Sequence, residues 1–280
     1  ASRLATLDGS AAALTAGGDL TLRANGRAVS ADDLGLGGSW TLQGRNVAID
    51  TLVSAPSGSI VVQASGAATT GVTVGAGQLD VHGVTRNFGS GHAYTPGGTV
   101  VLDGGAAAVT LGAQSVVNVS AKGADAGSVQ VTAAHAQNGA FNMQGQLLGA
   151  ADAAADSGLA RAPLQGSFSL DVGHIENALA FDTLNAKLNA AGMTESREVR
   201  VRQGDVTLSA SGRIQAHDIS VAVDNGNLLV AGELDARGIK GGQIELYASQ
   251  SQASGAKGQL TLAGTAVLRA NATQAAVADA

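Results

Sequence analysis

The stretch "GELDARGIKGGQIELYA" (residues 232–248) decides how the chain is read. It holds carboxylates, cations and glycines, so it is either part of an active site or one unit of a scaffold. Its alternation favours the scaffold. With a period of two, Leu234 and Ala236 point inward and Asp235 and Arg237 face solvent. Gly238 and the pair Gly241-Gly242 then read as corners leading into a strand around Ile244 and Leu246, with the charges keeping the wall soluble and its edges blunt.

Working outward, the same phrase recurs: a glycine turn, then apolar, any, apolar. It appears as "GGDLTLRA" (17–24), "GGSWTLQG" (37–44), "SGSIVVQA" (57–64), "GGTVVLDG" (97–104), "AGSVQVTA" (126–133), "QGSFSLDV" (165–172), "QGDVTLSA" (203–210) and "KGQLTLAG" (257–264). The anchors are Leu20, Trp40, Ile60, Val100, Val129, Phe168, Val206, Ile244 and Leu260. Trp40 follows Leu20 by 20 residues and Ile60 follows Trp40 by 20, so the 40 residues from Ile60 to Val100 and the 38 from Val206 to Ile244 read as two turns each. A second phrase, "QLDVHG" (78–83), "VVNVSAKG" (116–123) and "ELDARG" (233–238), puts Leu79, Val117 and Leu234 inside and Asp80, Asn118 and Asp235 outside.

Strands this short cannot bury a face alone and must stack. The expectation is an all-β chain, a right-handed parallel β-helix with coils of about 20 residues. An up-and-down sandwich or barrel is the alternative, but it would show longer strands and long alternating runs beside its Asn-Gly turns. Composition agrees with the winding. The chain has 280 residues and is 45% hydrophobic but only 2% aromatic, with 40 glycines and three prolines. An interior that stacks aliphatic residues on their like leaves little room for rings.

One segment breaks the rhythm. In "IENALAFDTLNAKLNAAG" (175–192), Phe181, Leu184 and Leu188 form a helical stripe that Gly192 can end, so a short helix is expected near 177–191, outside the coils or over a strand edge. The preceding "GAADAAADSGLARAPLQG" (149–166) reads as a loop leaving the stack. The organisation expected is coils over 1–148, loop and helix over 149–200, and coils over 201–280, in one continuous domain.

The net charge of −6 is spread without a basic stripe, which argues against nucleic acid. There is no cysteine, so disulfides, thiolate metal sites and cysteine nucleophiles are all excluded. No apolar run is long enough to insert in a membrane, and "ASRLATLDGS" (1–10) does not read as a signal peptide. The histidines, His82, His92, His135, His174 and His217, are scattered and lack metal-ligand spacing, so they read as exposed turn residues. Phosphate loops, nucleophile elbows and the acidic calcium nonapeptide are missing. "NVS" at Asn118 and "NAT" at Asn271 match glycan acceptors, a weak signal. No catalytic, cofactor-binding or metal-binding residue is expected, and no cofactor.

Asp32-Asp33, Gly91-His92 and "RGIK" (237–240) resemble elements of β-helical pectin-degrading hydrolases, which need paired acids beside cations on one sugar. Here the acids and cations are about ten coils apart, roughly 48 Å along a stack. Arg237 and Lys240 therefore read as a solvated turn.

The coil phrases, "LDARG…GGQIELYA" and above all "FDTLNAKLNAAGMTESREVRVRQGDVTL" (181–208) resemble large exoproteins of the filamentous haemagglutinin type, exported by two-partner secretion. The resemblance implies an interior or C-terminal fragment of a β-helical fibre on a Gram-negative surface. It implies a partner transporter in the outer membrane, and adhesion to glycans or proteins of host cells or other bacteria. It carries over no receptor-binding residue. A β-helical polysaccharide lyase or hydrolase, and the stalk of a contact-dependent toxin-delivery protein, are the alternatives.

Overall fold

A computed structural model describes residues 3–5, 8–26, 35–134, 139–249 and 258–273. The chain is all-β with parallel sheets and a single helix among the described residues. A nine-stranded sheet runs through it: Ala11–Thr15, Ser39–Gly44, Ser59–Ala64, Thr99–Asp103, Ser128–Ala133, Ser167–Val172, Ser196–Val201, Asp218–Val223 and Gln243–Ala248, in chain order and parallel throughout. Between most successive members the chain visits a second face and then a third before returning one strand further along; between Ser167–Val172 and Ser196–Val201 the helix Ala178–Ala190 takes the place of both. Leu20–Arg23, Val47–Asp50, Val72–Val74, Val109–Leu111 and Phe141–Met143 pair on the second face. Arg3–Ala5, Leu52–Ser54, Gln78–Asp80, Val116–Asn118 and Gln146–Leu148 pair on the third. Beyond the helix the same order resumes with Val206–Leu208, Leu228–Val230 and Leu260–Leu262, and with Arg213–Gln215, Glu233–Asp235 and Val267–Arg269.

Register makes columns. Ala12, Trp40, Ile60, Val100, Val129, Phe168, Arg197, Ile219 and Ile244 stand in one line across the long sheet. Leu14, Leu42, Val62, Leu102, Val131, Leu170, Val199, Val221 and Leu246 stand in the next. Away from the two ends nearly every one is buried. Each such aliphatic side chain contributes about 1.5–3 kcal/mol by leaving water. Leu79 and Val117 share a column on the third face, and Leu234 is buried in the separate three-stranded sheet that follows the helix.

Three sequence expectations are corrected. Ile60 and Val100 lie on adjacent strands, so the 40 residues between them make one circuit enlarged by a hairpin, and circuit length is not fixed near 20. Leu20, Val206 and Leu260 carry the same phrase as Ile60 and Ile244 but stand on the second face, because strands of either face show the same alternation. Rings do enter the interior: Trp40, Phe168 and Phe181 are buried, and the rings of Phe141 and Phe168 lie 6.0 Å apart.

The corners show what the glycines are for. A Cβ on Gly58 would sit 1.8 Å from the Gly38 carbonyl oxygen, one on Gly98 2.0 Å from Gly58 O, and one on Gly127 1.8 Å from Gly98 O. The strands that follow take up those oxygens, with Ser59, Thr99 and Ser128 donating N–H to Gly38, Gly58 and Gly98. Glycine is required here for close stacking of backbone, not for an unusual φ.

The helix Ala178–Ala190 is capped by Asn177, whose side chain accepts from Ala180 N, and ends before Gly192 at φ +74. Phe181 and Leu188 are buried and Leu184 half-buried. Of the two expected positions the edge is the one found. The helix lies against Val206–Leu208 and Arg213–Gln215, and Lys187 Nζ donates to the carbonyls of Met143 and Gln144, at 2.8 and 3.1 Å. It thus fills the place where strands of both shorter faces are interrupted, while the long sheet runs past it. Within 149–200, Ser167–Val172 and Ser196–Val201 belong to the long sheet. No helix among the described residues is long and apolar enough to cross a membrane.

Candidate functional site

The long circuit between Ile60 and Val100 carries the one antiparallel pair among the described strands, Thr85–Asn87 with His92–Tyr94. Asn87 makes its turn: its Oδ1 accepts from Gly89 N at 2.9 Å, Gly89 has φ +79, and Phe88 N donates to Gly91 O. The tip presents Phe88, 69% exposed. At the base, Thr95 Oγ1 accepts from Val84 N at 2.8 Å and lies 2.6 Å from Ser57 Oγ. Tyr94 lays its ring where a Cβ on Gly123 would come within 2.5 Å.

The segment 153–166 meets this hairpin. Asp125 holds one end of it, accepting from both terminal nitrogens of Arg161 at 2.8 and 2.6 Å and from Leu164 N. Asp156 holds the other: Tyr94 Oη donates to Oδ1 at 2.5 Å, and His92 Nδ1 lies 2.6 Å from Oδ2. Hairpin and segment thus form one platform standing off the wall, with an open groove of about 420 Å³ nearby that His82, Lys122, Leu148 and Asp152 help to line.

The electrostatics follow from these bonds. Hydrogen bonds from Tyr94 and then His92 hold the Asp156 carboxyl below its ordinary value of 3.8, and the same bond raises the Tyr94 phenol. A carboxylate lowered on folding stabilises at pH above its ordinary value, and that contribution is lost as pH falls through the lowered one. The platform should therefore hold at pH 5 and release only below about pH 4. Hydrogen exchange of 153–159 read against pH checks this; release well above pH 4 would mean that the Asp156 carboxylate does not control the joint.

The sequence-flagged residues fall elsewhere or apart. Asp32, Asp33 and His135 lie outside the described residues. His174 follows one strand of the long parallel sheet and His217 precedes another, so they sit at opposite edges, about 17–20 Å apart by strand length. His82 Nδ1 is 2.7 Å from Asp80, which raises its pKa. Asp235 is corrected from solvent-facing to 5% exposed; Arg237 is exposed, as expected, and clamps upon it. Arg237 donates twice to Asp235 at 2.7 Å and Arg213 once at 2.6 Å, holding that carboxyl well below the usual range, with Arg237 the largest cause. Glu233 links Arg213 and Arg269 beside them. Across the long sheet Arg202 bridges Asp171 and Asp224. These are neutralised networks along the wall. Among the described residues no group of three or more His, Asp or Glu is arranged to hold a metal.

Two features escaped the sequence. Arg197 is a fully buried cation in the Ile60 column. Glu195 is a partly buried carboxyl, raised by desolvation, with His217 and Asp218 alongside on the next circuit. A cleft of about 340 Å³ under the helix start is lined by Phe141, Leu170, Ile175 and Leu184, with the buried His174 Nδ1 unbonded. Compared with family models, with curated proteins and with solved structures, the chain matches none of them.

Proposed function

We propose that the chain is a right-handed parallel β-helix serving as a structural and adhesive segment of a secreted bacterial surface exoprotein of the filamentous haemagglutinin type. Its task is binding, not catalysis. The observation that carries the reading is the nine-strand parallel sheet whose circuits repeat three faces, since such a stack is stiff and extends along one direction. Recognition falls to the platform of Phe88, His92, Tyr94 and Asp156, because loops held by a rigid scaffold are where binding concentrates. An exposed ring at the tip of a braced hairpin offers contact area at small entropic cost. The partners are glycans or proteins on host cells or other bacteria, together with the outer-membrane transporter of two-partner secretion. Neither nucleic acid nor membrane insertion enters the reading.

Beads coated with the chain should adhere to cultured epithelial cells. The pair Phe88→Ala and Asp156→Asn should lower that adhesion about tenfold, the effect of removing one modest hot spot. Unchanged adhesion with an unchanged circular dichroism spectrum would remove the platform from the proposal. A second reading, cleavage of a polysaccharide, draws on Glu195 and Asp218, acids on neighbouring circuits. Release of reducing ends from a polysaccharide, lost in Glu195→Gln, would favour it.

A further inference from the structure

The polar side chains of the platform are spent on holding it together. Asp156 meets Tyr94 Oη with one oxygen and His92 Nδ1 with the other, at 2.5 and 2.6 Å. Arg161 and Leu164 N occupy both oxygens of Asp125. Asn87 Oδ1 closes the turn at Gly89 N, Thr95 Oγ1 bonds at the base with Val84 N and Ser57 Oγ, and Ser157 Oγ accepts from Leu159 N. On the strands at its foot Lys122 stands beside Asp152 in register, so the cation there has an acid next to it.

What the platform turns outward is apolar. Besides Phe88 at the tip, Leu159 and Leu164, which flank Arg161 in the bracing segment, are 39% and 40% exposed. Leu148, 41% exposed, lines the groove beside Gly83, where the hairpin leaves the wall. Phe88 is also preset: its N–H donates to Gly91 O, and Gly89 next to it supplies the left-handed φ of the turn. Docking such a ring costs little conformational entropy. Exposed apolar groups on one raised structure mark contact with another protein. An aromatic anchor among charges that are already paired has the composition of the centre of such a contact. A sugar makes the opposite demand, because each of its hydroxyls that is buried without a partner costs about 1–3 kcal/mol, and the platform's carboxylates, its phenol and Arg161 are already committed.

We infer that the occupant of the platform is a protein, which takes Phe88 into an apolar pocket of its own, with Leu159 and Leu164 supplying further apolar contact. Such a partner presupposes that the platform is the binding surface, as proposed above, and narrows glycan or protein to protein. The contact owes little to charge, since Asp125 and Arg161 neutralise one another before the partner arrives.

Adhesion of beads coated with the chain to cultured epithelial cells tests it, with the difference between wild type and Phe88→Ala taken as the part that Phe88 carries. Phe88 is exposed at a turn, so its truncation leaves the core intact. Brief trypsin treatment of the cells should lower that part about tenfold or more. Mild periodate oxidation, which cleaves the vicinal diols of sugars and leaves peptide bonds whole, should change it by less than about twofold, below the effect of one lost anchor. Leu179→Ala removes a side chain as exposed as Phe88 from the start of the helix and should leave adhesion unchanged. Phe88-dependent adhesion that periodate abolishes, or that survives trypsin, overturns the inference and leaves the platform its binding role. An equal loss in Leu179→Ala also overturns it, since any exposed apolar group would then serve. Adhesion indifferent to Phe88 would instead remove the platform from the proposed function, and a protein partner with it.

Discussion

Gly98→Ala should lower the stability of the chain by at least about 3 kcal/mol, the upper end of the cost of overpacking. The added methyl would lie 2.0 Å from Gly58 O, with Gly58 C and N each at 2.9 Å. Its neighbours are backbone on both sides and cannot swing away. Gly127 stacks on Gly98 in turn, with Gly98 O 1.8 Å from the position of its own Cβ, so a shift at one corner propagates to the next. The bonds at risk are the ones that start the strands, Thr99 N to Gly58 O and Ser128 N to Gly98 O, at 2.9 and 3.0 Å. Gly17→Ala is the control. Nothing lies within 4 Å of a Cβ there and its φ is not in the left-handed region, so the change should fall within about 0.5 kcal/mol. Urea midpoints of the two variants measure the difference; equal midpoints would mean that the glycine ladder is not a point of close stacking.

That ladder also marks how far the sequence could be read. The phrase of glycine, polar residue and alternating apolar residues located the columns at Trp40, Ile60, Val100, Val129, Phe168 and Ile244, and these do stand in line. The helix was legible as well, because Phe181 and Leu188 recur on one side and Gly192 supplies the left-handed stop. Spacing misled where the chain leaves the stack and returns: a hairpin of exposed residues adds length between Ile60 and Val100 without leaving a trace in the apolar pattern. The phrase at Val206 and Leu260 was assigned to the wrong face, since alternation reports which side of a strand is buried and not which sheet holds it. Asp235 was read as solvent-facing from the same alternation. Its side chain does leave the interior, but Arg213 and Arg237 then roof it over, and the partner from the preceding circuit is 22 residues away. Asp156 meets His92 and Tyr94 from 64 and 62 residues away, and no local pattern carries such a meeting.

Arg197→Ala is expected to cost about 2–5 kcal/mol, the range for truncating a large, fully buried side chain to alanine. Arg197 stands between Phe168 and Ile219 in a column otherwise filled by apolar residues, and it is fully buried. Burial pulls its guanidinium down to about 9, so it is still a cation at neutral pH, and among the described residues no carboxylate pairs with it. What holds the charge is the end of the helix. Its terminal nitrogens donate to Asn185 Oδ1 at 2.8 Å, to the Met193 carbonyl at 2.5 Å and to Asn189 Oδ1 at 3.4 Å, while Nε has no partner. A cation there faces the negative end of the helix dipole. Truncation to alanine leaves a void in the column and takes the donor from Asn185, itself fully buried. The pair Arg197→Met and Asn185→Leu removes the cation and its most buried partner together while filling the space, and should recover at least half of the loss. Stability by urea denaturation and hydrogen exchange over 178–190 separate the two roles of this residue. The double variant should regain at least half of the lost urea midpoint while the helix exchanges faster than in the wild type, because the guanidinium's bonds to Met193 and Asn189 are gone. A loss below about 1 kcal/mol in Arg197→Ala, less than one buried hydrogen-bonded group contributes, would show that apolar contacts at Phe181 and Leu188 hold the helix without it.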